Sequence, residues 1–170
     1  MQISLRKGDI FFVRTDAFIT NFIIFYQRLW TGYGDYNKDA FYGHVGVIID
    51  SDGTIYESTS VIGEGNLSKY KGYSVCILRH NEMTNSLFVK GFSAVENYRG
   101  CTYPFWRYPL YLLGLADNIH LTFPVCSELA GIFLNKAGLL NNIGWGLSPK
   151  ELLVLCEETK KFQVIYEGVF

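Results

Sequence analysis

Pro124-Val125-Cys126-Ser127-Glu128-Leu129-Ala130 leads into Ile132, Phe133 and Ala137, with Gly138 behind them. The apolar residues Leu129, Ile132, Phe133 and Ala137 keep the i, i+3, i+4 spacing of a helix packed on a core. Gly138 is a stop signal. The spacing therefore predicts a buried helix that begins at Cys126. A thiol in that place faces unpaired backbone N–H groups and the positive end of the helix dipole, which favour thiolate over thiol. The N–H of Cys126 is then the first oxyanion donor, because donors at a helix start are aimed at developing negative charge. Such a nucleophile needs a base, and the chain holds three histidines.

His44 lies in Gly43-His44-Val45-Gly46-Val47-Ile48-Ile49, a strand pattern with glycine on either side of the histidine. Glycine inside a strand marks close approach by a ligand or another backbone. His80, in Arg79-His80-Asn81, is expected to be a solvated turn residue, and His120 is a rival base on a loop. Glu57, in Ile55-Tyr56-Glu57-Ser58, is the candidate for orienting the imidazole and stabilising its charged form. An outward-facing strand carboxylate is the plainer alternative for it. Register poses a difficulty. A two-residue turn at Asp52-Gly53 sets Glu57 opposite Ile48, about 13 Å along the strand from His44. A longer loop, a bulge or coiling has to shift that pairing, or another polar group has to orient His44. Tyr103, in Gly100-Cys101-Thr102-Tyr103-Pro104, and Ser127, beside the nucleophile, are candidate substrate-binding or oxyanion residues.

Working outward, strands are expected at Asp9–Val13, His44–Ile49, Thr54–Ser58, Tyr73–Arg79 and Phe162–Tyr166. Helices are expected at Ala17–Trp30, Thr84–Tyr98, Pro104–Leu115, from Cys126, and from the N-cap Ser148-Pro149 to about Cys156. Thr31–Gly43 reads as a Gly/Tyr/Asp-rich loop. Strands come first and helices later, with one strand returning, which is α+β rather than alternating α/β. No linker divides the chain, so residues 1–170 are expected to form a single domain.

Composition narrows the function. Hydrophobic residues make up 49% and charged residues 18%, and the formal net charge is −1. That balance argues against nucleic acid as a partner. Cys76, Cys101, Cys126 and Cys156 are widely spread and are expected to be free thiols. His44, Glu57 and Cys126 lack company at ligand spacing, so no metal site is expected, and no cofactor is called for. Gly63-Glu64-Gly65 does not lead into a helix and is not a phosphate loop. Met1–Asp9 has no signal-peptide core. The apolar stretch Ala17–Trp30 is too short to span a bilayer and contains Asn21, Gln27 and Arg28. A cytoplasmic protein at synthesis is expected, without a transmembrane segment, with peripheral membrane contact still open.

Taken in order, these pieces resemble the circularly permuted NlpC-type papain-like hydrolases, a group with bacterial and poxvirus members. The matching pieces are Lys7-Gly8-Asp9-Ile10, Gly43-His44-Val45-Gly46, Ile55-Tyr56-Glu57-Ser58, Gly100-Cys101-Thr102-Tyr103, Val125-Cys126-Ser127-Glu128-Leu129 with Ala137-Gly138, and Ser148-Pro149-Lys150-Glu151-Leu152. The histidine precedes the cysteine, which is the permuted order. The resemblance implies an antiparallel, barrel-like sheet packed on the nucleophile helix, with Cys126 as nucleophile, His44 as base and then acid, and Glu57 as third member. Gly43 departs from the family, which usually has serine before the histidine.

The expected activity is hydrolysis of an amide or ester through a Cys126 thioester. Stem peptides and lipid amides or esters are the substrate classes that the resemblance implies. Phe105, Trp106, Tyr108 and Tyr111 are candidates for an acyl groove or for core. The alternative is a non-enzymatic binding module, or a virion structural module if the chain is viral. Oligomeric state is not legible.

Overall fold

The computed structural model describes residues 3–16, 21, 41–103, 123–141, 143 and 146–170. The expected helices Ala17–Trp30 and Pro104–Leu115, most of the Thr31–Gly43 loop, and His120 lie outside the described residues.

Six strands, β1 (Ile10–Arg14), β2 (His44–Ile48), β3 (Thr54–Ser58), β4 (Ile62–Asn66), β5 (Ser74–His80) and β6 (Phe162–Val169), form one antiparallel sheet in the order β4-β3-β2-β1-β5-β6. A 3-10 turn, Leu67–Tyr70, joins β4 to β5. Among the described residues there are three α-helices: α1 (Asn85–Glu96), α2 (Cys126–Ala137) and α3 (Pro149–Glu158). The class is α+β.

Both faces of the sheet are covered, which explains why Ile10-Phe11-Phe12-Val13 is apolar without a break. Successive strand side chains point to opposite faces. Ile10, Phe12, Val45, Val47, Tyr56 and Leu78 therefore join Phe88, Leu129, Phe133 and Leu152 of the helices in one core. Phe11, Val13, Ile48, Ile55, Val75 and Ile77 join Leu67 and Tyr70 in a second core on the other face. α2 packs on α1, β2 and β3. Where α1 crosses it, Gly91 lies so close that a Cβ there would stand 2.6 Å from the Phe133 carbonyl oxygen.

Local signals set the helix ends. Thr84 caps α1 through Leu87 N–H, and Ser148 caps α3 through Glu151 N–H, with Glu151 returning a bond to Ser148 N–H. α2 has Val125 at its N-cap, with no capping side chain; Glu128 instead accepts from Val125 N–H at 2.9 Å. Gly138 ends it in the left-handed conformation at φ 80°.

The β2–β3 pairing corrects the register expected from an Asp52-Gly53 turn. Ile48 faces Ile55 and Gly46 faces Glu57. Gly53 is left-handed at φ 89° and closes a turn by donating to Asp50 O, while both Ile49 and Asp50 donate to Thr54 O. This bulged connection moves Glu57 two residues along β2 toward His44, from opposite Ile48 to opposite Gly46. β4 is also new relative to expectation: Gly63 and Gly65 lie within it.

Candidate active site

His44 is the first residue of β2, opposite Val13 of β1, and Glu57 is opposite Gly46. The two side chains therefore share the face of the sheet that carries the second core, as diagonal neighbours. His44 Nε2 lies 2.8 Å from Glu57 Oε2. Tyr70 donates its hydroxyl to the same oxygen at 2.7 Å, and Lys69 Nζ pairs with Oε1. The carboxylate is 3% exposed, so every one of these contacts compensates for lost hydration.

Glycine makes room for this arrangement. A Cβ at Gly46 would stand 2.6 Å from the Phe11 ring and 3.0 Å from Tyr56 O. Phe11 uses that space to lie edge-on to His44, with ring centroids 6.2 Å apart, and Tyr70 flanks the imidazole at 6.0 Å. At Gly65 a Cβ would press on Glu57 Oε1 at 3.1 Å. The glycines on either side of Glu57 are thus places of close approach by side chains that hold the pair.

Cys126 comes to His44 from the other layer. α2 packs on the opposite face of the sheet, but its N-terminus reaches the end of β2 where His44 stands, and the thiol hydrogen-bonds the imidazole. With Nε2 on Glu57, Nδ1 is the nitrogen left for sulfur. Three side chains fix the start of α2. Ser58, at the end of β3, donates its hydroxyl to Pro124 O at 3.1 Å. Glu128, itself buried, accepts from Val125 N–H and from Gly146 N–H at 2.8 Å. Ser127 donates its hydroxyl to Leu147 O. The Ser127 hydroxyl is therefore committed to fastening the 146–148 segment, and the anion donors at this helix start are backbone N–H groups.

The electrostatics follow from the layout. Burial lowers the basicity of His44, but the negative charge of Cys126, its hydrogen bond, and then Glu57 outweigh burial and raise the pKa to about 9. Burial pushes Glu57 upward, and the bond and charge of His44, then Lys69 and Tyr70, bring it down to about 2. The set can hold a charged imidazole beside the Glu57 carboxylate at neutral pH.

Tyr103 is buried at the end of a bridge between Val61 and Thr102, and its N–H donates to Ser60 O. His80 corrects its expectation as a solvated turn residue. It is 2% exposed, packs edge-on against Phe162 with centroids 4.7 Å apart, and accepts from Glu82 N–H. The four cysteines are free. Among the described residues no three His, Cys, Asp or Glu side chains gather as metal ligands, and no helix is long and apolar enough to cross a membrane.

Lys69 and Tyr70 were not among the residues singled out in the sequence. Their one local signal is Asn66, which caps the 3-10 turn by accepting from Ser68 N–H and so sets the turn against Glu57.

No family model and no curated protein matches the chain. Among solved structures it is similar to the metalloprotein yiiX from Escherichia coli O157:H7, a DUF1105 protein. The TM-score is 0.59 at 14% identity, over 97% of this chain and 98% of that one. At that identity the likeness is one of fold.

Proposed function

We propose that the chain is a cysteine hydrolase of amide or ester bonds, with the permuted papain-like (NlpC-type) fold. The observation that carries the reading is the contiguous set Cys126–His44–Glu57, with the thiol at a helix N-terminus and the imidazole bonded on both sides. In this scheme Cys126 Sγ attacks the carbonyl carbon, and the oxyanion is met by N–H groups at the start of α2. His44 passes its proton to the leaving nitrogen or oxygen as that bond breaks, leaving a thioester. Water then attacks the thioester carbon, giving its proton to His44. The acid product leaves and the Cys126–His44 pair is restored. Glu57 holds the imidazole and stabilises its charged form throughout.

The substrate is a peptide-like or lipid amide or ester. The structural neighbour is described as a metalloprotein; the described residues here do not supply a metal-ligand set, and every step above runs on the chain's own groups. A binding or virion structural module on the same fold remains the second class of function. The test is the pH dependence of iodoacetamide labelling at Cys126, resolved by mass spectrometry, in wild type and His44→Ala. Labelling that persists well below the free-thiol value of about 8.5 and is lost in His44→Ala is the expected result. Ordinary thiol behaviour in both proteins would shift the assignment to the binding module.

A further inference from the structure

The carboxylate of Glu57 has two oxygens, and they do different things. Oε2 takes His44 and the Tyr70 hydroxyl, whereas Oε1 takes Lys69 Nζ. Lys69 is 42% exposed on its side chain, against 3% for Glu57 and 12% for His44. It therefore stands at the solvent edge of an otherwise buried site. Gly65 leaves the space for this: its missing Cβ would lie 3.6 Å from Lys69 Nζ and 3.1 Å from Glu57 Oε1.

Resting on the hydrolase reading, we propose that Lys69 is a positioning residue. Its ammonium group holds Oε1, which leaves Oε2 aimed at His44, and it tempers the negative charge that the imidazole feels. The site then reads as a row of partners, Cys126, imidazolium His44, carboxylate Glu57 and ammonium Lys69. Without Lys69 the second oxygen of the buried carboxylate would lack this cation; Lys69 supplies it at the solvent-exposed edge of the site. The consequence is chemical. His44 has to release its proton to a leaving group, and a carboxylate without its own counter-ion would grip that proton harder.

Among the described residues, the titratable groups facing the His44–Glu57 pair come from three elements. α2 supplies Cys126, and the 3-10 turn supplies Lys69 and Tyr70, with Glu57 itself on β3. β1 contributes the uncharged Phe11. Tyr70 stays a neutral donor, since burial and then the charge of Glu57 hold its pKa well above the usual phenol range. Lys69 is thus the cation on the far side of the carboxylate.

The experiment is an NMR pH titration of the His44 imidazole in the full chain, for wild type, Lys69→Met and Lys69→Arg. Lys69→Met is expected to raise the His44 midpoint by about half a unit to one unit, the direction for removing a nearby positive charge. Lys69→Arg is expected to restore the wild-type midpoint, which excludes a packing effect. A midpoint in Lys69→Met that is unchanged or lower would overturn the assignment. A wild-type midpoint near the ordinary 6.5 that still rises in Lys69→Met would count against the thiolate–imidazolium pair while upholding Lys69.

Discussion

At the scale of single residues, the site is a set of buried polar groups that are affordable only together. Glu57→Gln keeps the shape of the side chain but removes its charge. Its expected effect is to lower the His44 midpoint from about 9 by roughly one unit or more, read by the same imidazole titration. Ser58→Ala removes the bond to Pro124 O and leaves a buried carbonyl short of a partner, which costs about 1–3 kcal/mol in urea denaturation. Of these residues, Cys126 and His44 carry local signals, a helix start and a glycine-flanked strand; Glu57 was placed beside His44 by the family resemblance, since the expected turn set it about 13 Å away. Ser58 carries none, and Lys69 and Tyr70 have only the Asn66 cap of their turn. Their roles depend on which atoms a turn and a strand end bring within 3 Å or so of one another. Ser127 shows the reverse case, since adjacency to the nucleophile suggested substrate contact and the fold uses its hydroxyl on Leu147 O.

At the scale of elements, periodicity and caps were sufficient for most of the fold. The strands from Asp9, His44, Thr54, Tyr73 and Phe162, and the helices from Thr84, Cys126 and Ser148, all appear near their expected positions. β4 was not legible, because Gly63 and Gly65 remove the β-branched signal that strand reading relies on. The β2–β3 register was misread because Gly53 sits in a bulged turn rather than at the centre of a two-residue one. Helix contact has a sharper consequence. In an exposed helix Gly→Ala is stabilising by about 1 kcal/mol. At Gly91 the new Cβ would meet the Phe133 carbonyl at 2.6 Å, and that atom belongs to the backbone of α2. Gly91→Ala is therefore expected to destabilise by about 1–3 kcal/mol in chemical denaturation, because α1 and α2 must move apart. Since α2 carries Cys126, the same variant should also lower its labelling rate at neutral pH.

At the scale of the whole molecule, the nucleophile belongs to one core and the base to the other, so assembling the site and folding the sheet are linked events. That linkage makes stability depend on pH, with signs fixed by the direction of each shift. Glu57 is lowered from 4.5 to about 2, so its contribution is present above 4.5 and lost as pH falls through 2. His44 is raised from 6.5 to about 9, so its contribution is present below 6.5 and lost as pH rises through 9. His80 is lowered by burial, so its share is present above 6.5 and lost below it. Cys76 is pushed up from 9.0 to about 12 by burial and then by the charges of Glu167 and Glu157, so a further loss begins above 9. The maximum is expected near pH 6.5, with stability declining on either side. Cys126 contributes more than Glu57 to the rise at His44, so the His44–Glu57 pair accounts for only part of the His44 limb. Thermal denaturation at one-unit pH intervals separates the limbs. His44→Gln should flatten the decline between 6.5 and 9, and Glu57→Gln should flatten the fall between 4.5 and 2. If the 6.5–9 decline survived in His44→Gln, the linkage between site and fold would lie in some other group.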